Sequence, residues 1–212
     1  MDRKIRKPTQ KRALEKYDKI IDAAFKLFNE NGYYNTTTAD IAAEANVATG
    51  SIYAYFKDKK DIYLQVLKNT SEDFNYPTKD FWIENNDKDL HEPSIVKNLF
   101  TKFLKLMLEH HSFSKTFQHE LNALKLLDED IGNLVNKQHM ERLSKVIEII
   151  NILNISFKSD NDLEIFCYYS NLLVDDACHK ILYDDSLTDT DLYLAKCVDM
   201  LYALFISTVK LK

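Results

Sequence analysis

The sequence predicts an all-α protein, and three observations carry that expectation. Only three Gly and three Pro occur in 212 residues, too few turn formers for the many tight connections of an all-β or α/β chain. Apolar residues recur at helical spacing through most of the chain. Short polar joints interrupt that pattern at intervals. With 45% hydrophobic and 12% aromatic residues, the chain has enough apolar side chain for a real core, and its composition is far from that of a disordered protein. The length allows one large domain, or a small domain fused to a larger one.

The first periodic segment runs from Leu14 to Asn31, with Tyr17, Ile20, Ile21, Ala24, Phe25, Leu27 and Phe28 on the apolar side. Gly32 follows, suited to a left-handed helix cap. Thr37 is a good N-cap with Asp40 three residues on, close to a capping-box pattern, which predicts a short helix over 38–45. Asn46-Val47-Ala48 makes a turn-sized break, and Thr49 to Phe56 makes a second short helix. Two helices of about two turns joined by a three-residue turn have the geometry of a helix-turn-helix. Ile41, Ala42, Ala45, Val47, Ile52 and Phe56 are expected to pack the pair together and onto the first helix.

A polar joint at 57–61 leads to a helix expected over 60–75, ended by Pro77. Residues 77–93 read as a loop with a short helix around Phe81-Trp82. Helices are then expected from Ile95 to His111, Phe113 to Leu127 and Ile131 to Leu153. Ser159-Asp160-Asn161-Asp162 offers N-cap candidates for an apolar helix over 163–182, and a last helix spans Thr190 to Val209. These last two are apolar on more than one face. Such helices call for two partners, one inside the subunit and one outside.

The formal net charge is −5, but it is unevenly spread. Residues 1–60 hold 12 Lys/Arg against 8 Asp/Glu, a net of +4. The remainder carries a net of −9. Arg3, Lys4, Arg6, Lys7, Lys11 and Arg12 crowd the first twelve residues. A basic end on an acidic body suits a module that touches phosphate, and equally a solvated tail; charge alone does not separate the two. No apolar stretch follows these basic residues, so a signal peptide is not expected. No run approaches the roughly 18 apolar residues of a membrane span. Cys167, Cys178 and Cys197 are odd in number, lack CxxC spacing and lie in apolar stretches, which reads as core cysteines in a reducing cytoplasm.

The stretch from Ile20 to Val66 resembles the TetR family of bacterial regulators. The shared pattern is Ile20-Ile21-Asp22-Ala23-Ala24, Leu27-Phe28, Gly32, Thr36-Thr37, Asp40-Ile41-Ala42, Ala45-Asn46-Val47, Gly50-Ser51-Ile52-Tyr53, Tyr55-Phe56, Lys59 and Ile62. Two positions depart from it. Asn46 stands where the family usually has Gly, and Asn is the next best residue for a positive φ. Ala48 stands where the family usually has Ser, which removes a hydroxyl cap from the second short helix. The resemblance implies about nine helices, a three-helix DNA-binding head within residues 1–60, and a larger helical domain over 61–212 for effector binding and dimerisation. It further implies a homodimer built from the last two helices of each subunit, and an operator-binding transcriptional regulator, most often a repressor released by a small-molecule effector.

A major groove is read by the leading end of a helix, here Thr49, Gly50 and Ser51. Gly50 would let the backbone approach the duplex, and the hydroxyls of Thr49 and Ser51 suit base edges or phosphates. Thr38 would reach the groove edge, and Thr37 combines the roles of N-cap and phosphate donor. The resemblance adds Tyr53, Tyr55 and Lys59 as phosphate or base contacts; each also has a plain reading, half-buried packing for the tyrosines and a solvated joint for the lysine. Trp82, Phe100, Phe103, Met107, Phe113, Phe117, Tyr168 and Tyr169 are weak candidates for an effector pocket, since core packing explains such residues as well. Leu172, Ala177, Ala195, Val198, Leu201 and Phe205 are the candidate dimer interface. The expected release mechanism is a shift of the 60–75 helix that changes the spacing of the two recognition helices.

His110-His111 and His119-Glu120 suggest no joint metal site, because adjacent helical residues point apart, and His179, amid Ala177, Cys178 and Ile181, reads as a satisfied helix residue rather than a ligand. No cofactor is expected. An enzyme is not expected either: there is no Gly-rich phosphate loop, HExxH, GxSxG or ExxH motif. The alternative reading is a helical protein-interaction module, or a regulator without a small-molecule effector.

Overall fold

A computed structural model describes residues 8–73, 75–111 and 113–210. Ten helices occur among them: α1 (Lys11–Asn31), α2 (Thr38–Glu44), α3 (Thr49–Tyr55), α4 (Lys59–Asp73), α5 (Asn75–Glu84), α6 (Pro93–Glu109), α7 (Lys115–Leu127), α8 (Glu129–Ile152), α9 (Asp160–Tyr183) and α10 (Thr190–Thr208). The described residues contain no strand, only one isolated bridge between Phe157 and Val209. The all-α expectation holds. The ten helices correspond to the segments read one by one, the short one around Phe81-Trp82 included, and exceed by one the about nine that the resemblance implies. Pro77 does not end a helix. It lies in the first turn of α5, where the missing N–H has no intrahelical partner to lose.

The helix starts follow local chemistry. Thr37 forms a capping box with Asp40: the Thr37 hydroxyl accepts from the Asp40 N–H at 3.2 Å, and Asp40 accepts from the Thr37 N–H at 2.9 Å. Ser114, Ser159 and Asp189 cap α7, α9 and α10 by accepting from the N–H three residues on. Ala48 precedes α3 with no side-chain cap. Asn46 has φ 52°, the positive value that the turn between α2 and α3 requires.

Packing divides the chain into two units, and not at residue 60. The first comprises residues 1–73 and 112–136; the second comprises 74–111 and 137–212. The cores explain the division. In the first unit Ile20, Ala24 and Phe28 of α1 meet Ile41 and Ile52 of the short helices, Ile62, Tyr63 and Val66 of α4, and Phe117 of α7. Tyr63 lies 5.2 Å from the Phe28 ring and 5.5 Å from Phe117, centroid to centroid. Burying each such side chain contributes roughly 1.5–3 kcal/mol, so α4 and α7 belong energetically with the short helices. The second unit's core collects α6, α9 and α10, with Phe205 of α10 in ring contact with Phe100 and Phe166. Its chain end is tied back by Lys158 N–H to Thr208 O at 3.0 Å and Lys210 N–H to Ser156 O at 2.8 Å.

The segment between α1 and α2 is the most constrained part of the first unit. Gly32 has φ 86° and ψ 166°. Its φ is positive as expected, but the extended ψ is not the left-handed helical value; this region is essentially open to Gly alone. A Cβ there would lie 2.7 Å from the carboxylate oxygens of Glu120. That carboxylate accepts the backbone N–H of Tyr33. Gly32→Ala is therefore expected to cost on the order of 2 kcal/mol, read as a lowered urea midpoint with an unchanged slope.

Candidate functional site

The first candidate surface is formed by α2, α3 and the loop before α2. The Thr38 and Tyr53 hydroxyls lie 3.0 Å apart, linking the start of α2 to α3. Thr49 and Gly50 are exposed, and Ser51 is half-buried. A Cβ added at Gly50 would meet nothing within 4 Å, so the backbone at the leading edge of α3 is open to an incoming surface. Thr37 is exposed but already engaged with Asp40. Ile52, fully buried on the opposite side of α3, anchors the helix so that its leading edge stays outward. Thr37, Thr38, Thr49, Gly50, Ser51 and Tyr53 thus come together around α2 and α3.

Tyr55 and Lys59 have structural roles. The Tyr55 ring packs edge-on against Tyr17 at 6.1 Å. The Lys59 ammonium donates to the Tyr33 carbonyl at 2.7 Å and the Thr36 carbonyl at 2.9 Å, and sits 4.3 Å from the Tyr33 ring centroid. Burial lowers its pKa from the ordinary lysine value, with Glu120 pulling the other way. Of the basic arm, Lys11 and Arg12 are exposed at the start of α1; Arg3, Lys4, Arg6 and Lys7 lie outside the described residues.

The second candidate is a cavity of about 150 Å³ inside the second unit. Trp82, Phe100, Phe103 and Met107 line it, as expected. Four other proposed pocket residues do not. Phe113 and Phe117 stack on each other at 4.4 Å in the first unit's core. Tyr168 and Tyr169 are 51% and 49% exposed on α9. One face of α8 that the sequence does not single out, Arg142, Lys145, Val146, Ile149 and Ile150, also lines the cavity, together with Leu153 just past the helix end. Their i, i+3, i+4 spacing was visible, but so were other apolar positions of that helix.

The candidate dimer residues also separate. Ala177, Val198, Leu201 and Phe205 are buried in the unit's own core and are not available to a second subunit. The apolar surplus of α9 and α10 is largely used within the chain. Leu172, 52% exposed, and Ala195, also exposed, remain on the surface. Leu192, Met200 and Ile206 join them from α10.

The model of bacterial regulatory proteins of the tetR family matches residues 20–66. The fatty acid metabolism regulator protein of Bacillus subtilis is 32% identical over 139 residues, 66% of this chain and 64% of that protein. The negative transcriptional regulator IcaR of the Staphylococcus epidermidis biofilm operon is 32% identical over 111 residues, 49% of this chain and 58% of that protein. The chain thus spans less than two thirds of the length of these curated relatives. The crystal structure of a TetR transcription regulator from Haloarcula marismortui superposes with a TM-score of 0.69 at 18% identity, covering 93% of this chain and all of that one. Residues 20–66 thus match the TetR family, and the solved regulator shares the fold. The matched residues take in α2, α3 and the turn between them, where the candidate DNA-facing residues gather.

The described residues hold no group of His, Cys, Asp and Glu able to bind a metal ion, and no helix among them is long and apolar enough to cross a membrane. His111 and His179, separate in sequence, meet in space with ring centroids 5.3 Å apart. The Tyr183 hydroxyl lies 3.0 Å from His111 Nδ1. Burial, helped by the nearby His179, pushes the His111 pKa down from 6.5 to about 4, while Asp175 opposes the shift. The folded chain therefore refuses a proton that the unfolded chain accepts. The resulting stability is fully present above pH 6.5 and is lost as the pH falls toward 4. His111→Gln is expected to flatten the decline in unfolding free energy, measured by urea titration between pH 7 and pH 5, by on the order of 1–2 kcal/mol; an unchanged decline would remove His111 from the account.

Proposed function

We propose that this TetR-family chain is a cytoplasmic, DNA-binding transcriptional regulator that works as a homodimer, represses from an operator, and is released by a small-molecule effector held in the second unit. The observation that carries the reading is the leading edge of α3. Thr49 and Gly50 stand exposed there, with open space at Gly50 and Ile52 fixing the helix from behind. A backbone with hydroxyls at its edge and no projecting bulk can approach a major groove closely. No Arg, Asn or Gln stands in α3, so bidentate base recognition is absent from it. Phosphate contacts would supply much of the affinity, which makes it steeply salt-dependent. The names of the relatives, a metabolism regulator and a negative transcriptional regulator, support the same reading.

Release requires only that the effector bind the DNA-incompetent state more tightly. The cavity in the second unit is the candidate effector site. A cavity of 150 Å³ accepts a benzene-sized group or a slender chain.

The DNA claim is tested by retardation of a duplex carrying the chain's own upstream region, over a salt series. Thr49→Ala and Tyr53→Ala are each expected to weaken binding about 5- to 100-fold while leaving the fold intact. Failure to retard that duplex at low salt, or indifference to both substitutions, would sink the reading and favour a protein-interaction module. Lys59→Ala is a poor probe, since it also removes two backbone carbonyl contacts. The dimer claim rests on the outward residues of α9 and α10. Leu172→Glu combined with Leu192→Glu is expected to convert a sedimenting dimer into a folded monomer.

A further inference from the structure

We infer that the cavity of the second unit takes an elongated amphipathic anion, an alkyl chain ending in a carboxylate or phosphate, with Arg142 gripping the anionic end. The inference deepens the regulatory reading and rests on it only in treating the cavity as the effector site.

The argument starts from one face of α8. Arg142 and Leu153 both line the cavity. Leu153 follows Arg142 by eleven positions, just past the end of α8, so the lining stripe runs about 16 Å at ~1.5 Å per residue. A ligand that follows this stripe from end to end is an extended one, and the cavity is a slot in that sense. A slot fits an extended chain better than a fused ring system. The stripe is also polarised. Its first cavity-facing positions are Arg142 and Lys145. Those after them are Val146, Ile149, Ile150 and Leu153, all apolar.

The charge at the basic end is not spent inside the protein. Arg142 is half-buried, and neither it nor Lys145 has a hydrogen-bond or ion-pair partner among the described residues. The acidic neighbours on α8 are engaged elsewhere: Glu148 pairs with Lys79 at 2.6 Å, and Glu141 faces Lys137 at 3.7 Å. Arg142 thus stands partly covered beside an apolar slot with no compensating anion from the chain. Its planar fork suits a carboxylate or a phosphate in bidentate geometry. A cationic ligand would meet repulsion at this end, and a neutral apolar ligand would leave the guanidinium unanswered.

Trp82 is the chain's single tryptophan and lines the slot, so its emission reports occupancy directly. The full chain is titrated with dodecanoate, dodecyl phosphate, dodecanol and dodecyltrimethylammonium, each below its micelle-forming concentration. The two anions are expected to bind at least about tenfold tighter than the alcohol, and the ammonium weakest. Preference between carboxylate and phosphate tells which head group the site serves. Arg142→Ala is expected to erase the anion preference while leaving the alcohol's affinity in place, and Arg142→Lys to restore part of it. The alcohol arm shows in each variant that the slot is still formed. Equal binding of all four compounds, or an anion preference that survives Arg142→Ala, overturns the inference. Retardation of operator DNA by ligand-free protein is measured separately. A protein that binds DNA but shows no anion preference loses this inference and keeps its regulatory reading; one that prefers the anions but never binds DNA does the reverse.

Discussion

The geometry of the first unit depends on how six residues, Gly32 to Thr37, are held between α1 and α2. This stretch has no regular backbone ladder, so its polar groups need partners from elsewhere. They come from both sides. Glu120 of α7 accepts the Tyr33 N–H, Lys59 of α4 donates to the carbonyls of Tyr33 and Thr36, and the buried Thr36 hydroxyl donates to Gly32 O at 2.7 Å. The carboxylate needs space that only a glycine leaves at position 32. These contacts deliver Thr37 in an extended conformation at the threshold of α2, with its side chain free to cap the helix. The placement of α2 follows, and through the Asn46 turn so does the placement of α3.

That dependence explains why α4 and α7 cannot be separated from the short helices. The sequence suggests a head ending near residue 60, because the motif ends there. Physically the head needs Lys59, Tyr63 and Phe117 to hold its loop and fill its centre. Phe117 lies in a distant stretch of sequence, and nothing in its neighbourhood says which core it enters. The same blindness placed Phe113 and Phe117 in an effector pocket. A periodic apolar stripe identifies the buried face of a helix but not the partner that buries it.

Local features were far more legible. The Thr37–Asp40 capping box, the positive φ at Asn46 and the absent cap at Ala48 are set by one to four adjacent residues, and each stands as read. Pro77 was misread because proline is tolerated in a first helical turn as well as beyond a last one. The candidate surface around α3 was legible for the same reason as the caps: its residues are close in sequence. Assignments that needed tertiary knowledge fared differently. Among the apolar residues of α9 and α10, Leu172 faces outward while Ala177, Val198, Leu201 and Phe205 are consumed internally. Two-faced helices signal a second partner, but the sequence does not say which face is whose.

Cations show most clearly what structure adds. Lysines and arginines look alike as charge along a sequence, and their roles differ by what they touch. Lys59 is committed to backbone carbonyls, Lys60 to Asp128 and Asp130, and Lys97 to Asp199 at 2.8 Å. Each of these answers a need within the fold. Arg142 answers none among the described residues, although it is partly withdrawn from water and lies beside apolar surface. A guanidinium with no partner in the chain, on a residue that lines an apolar cavity, is placed to meet an anion from outside. By that physical criterion Lys59 belongs to the architecture of the head, whereas Arg142 belongs to whatever enters the second unit.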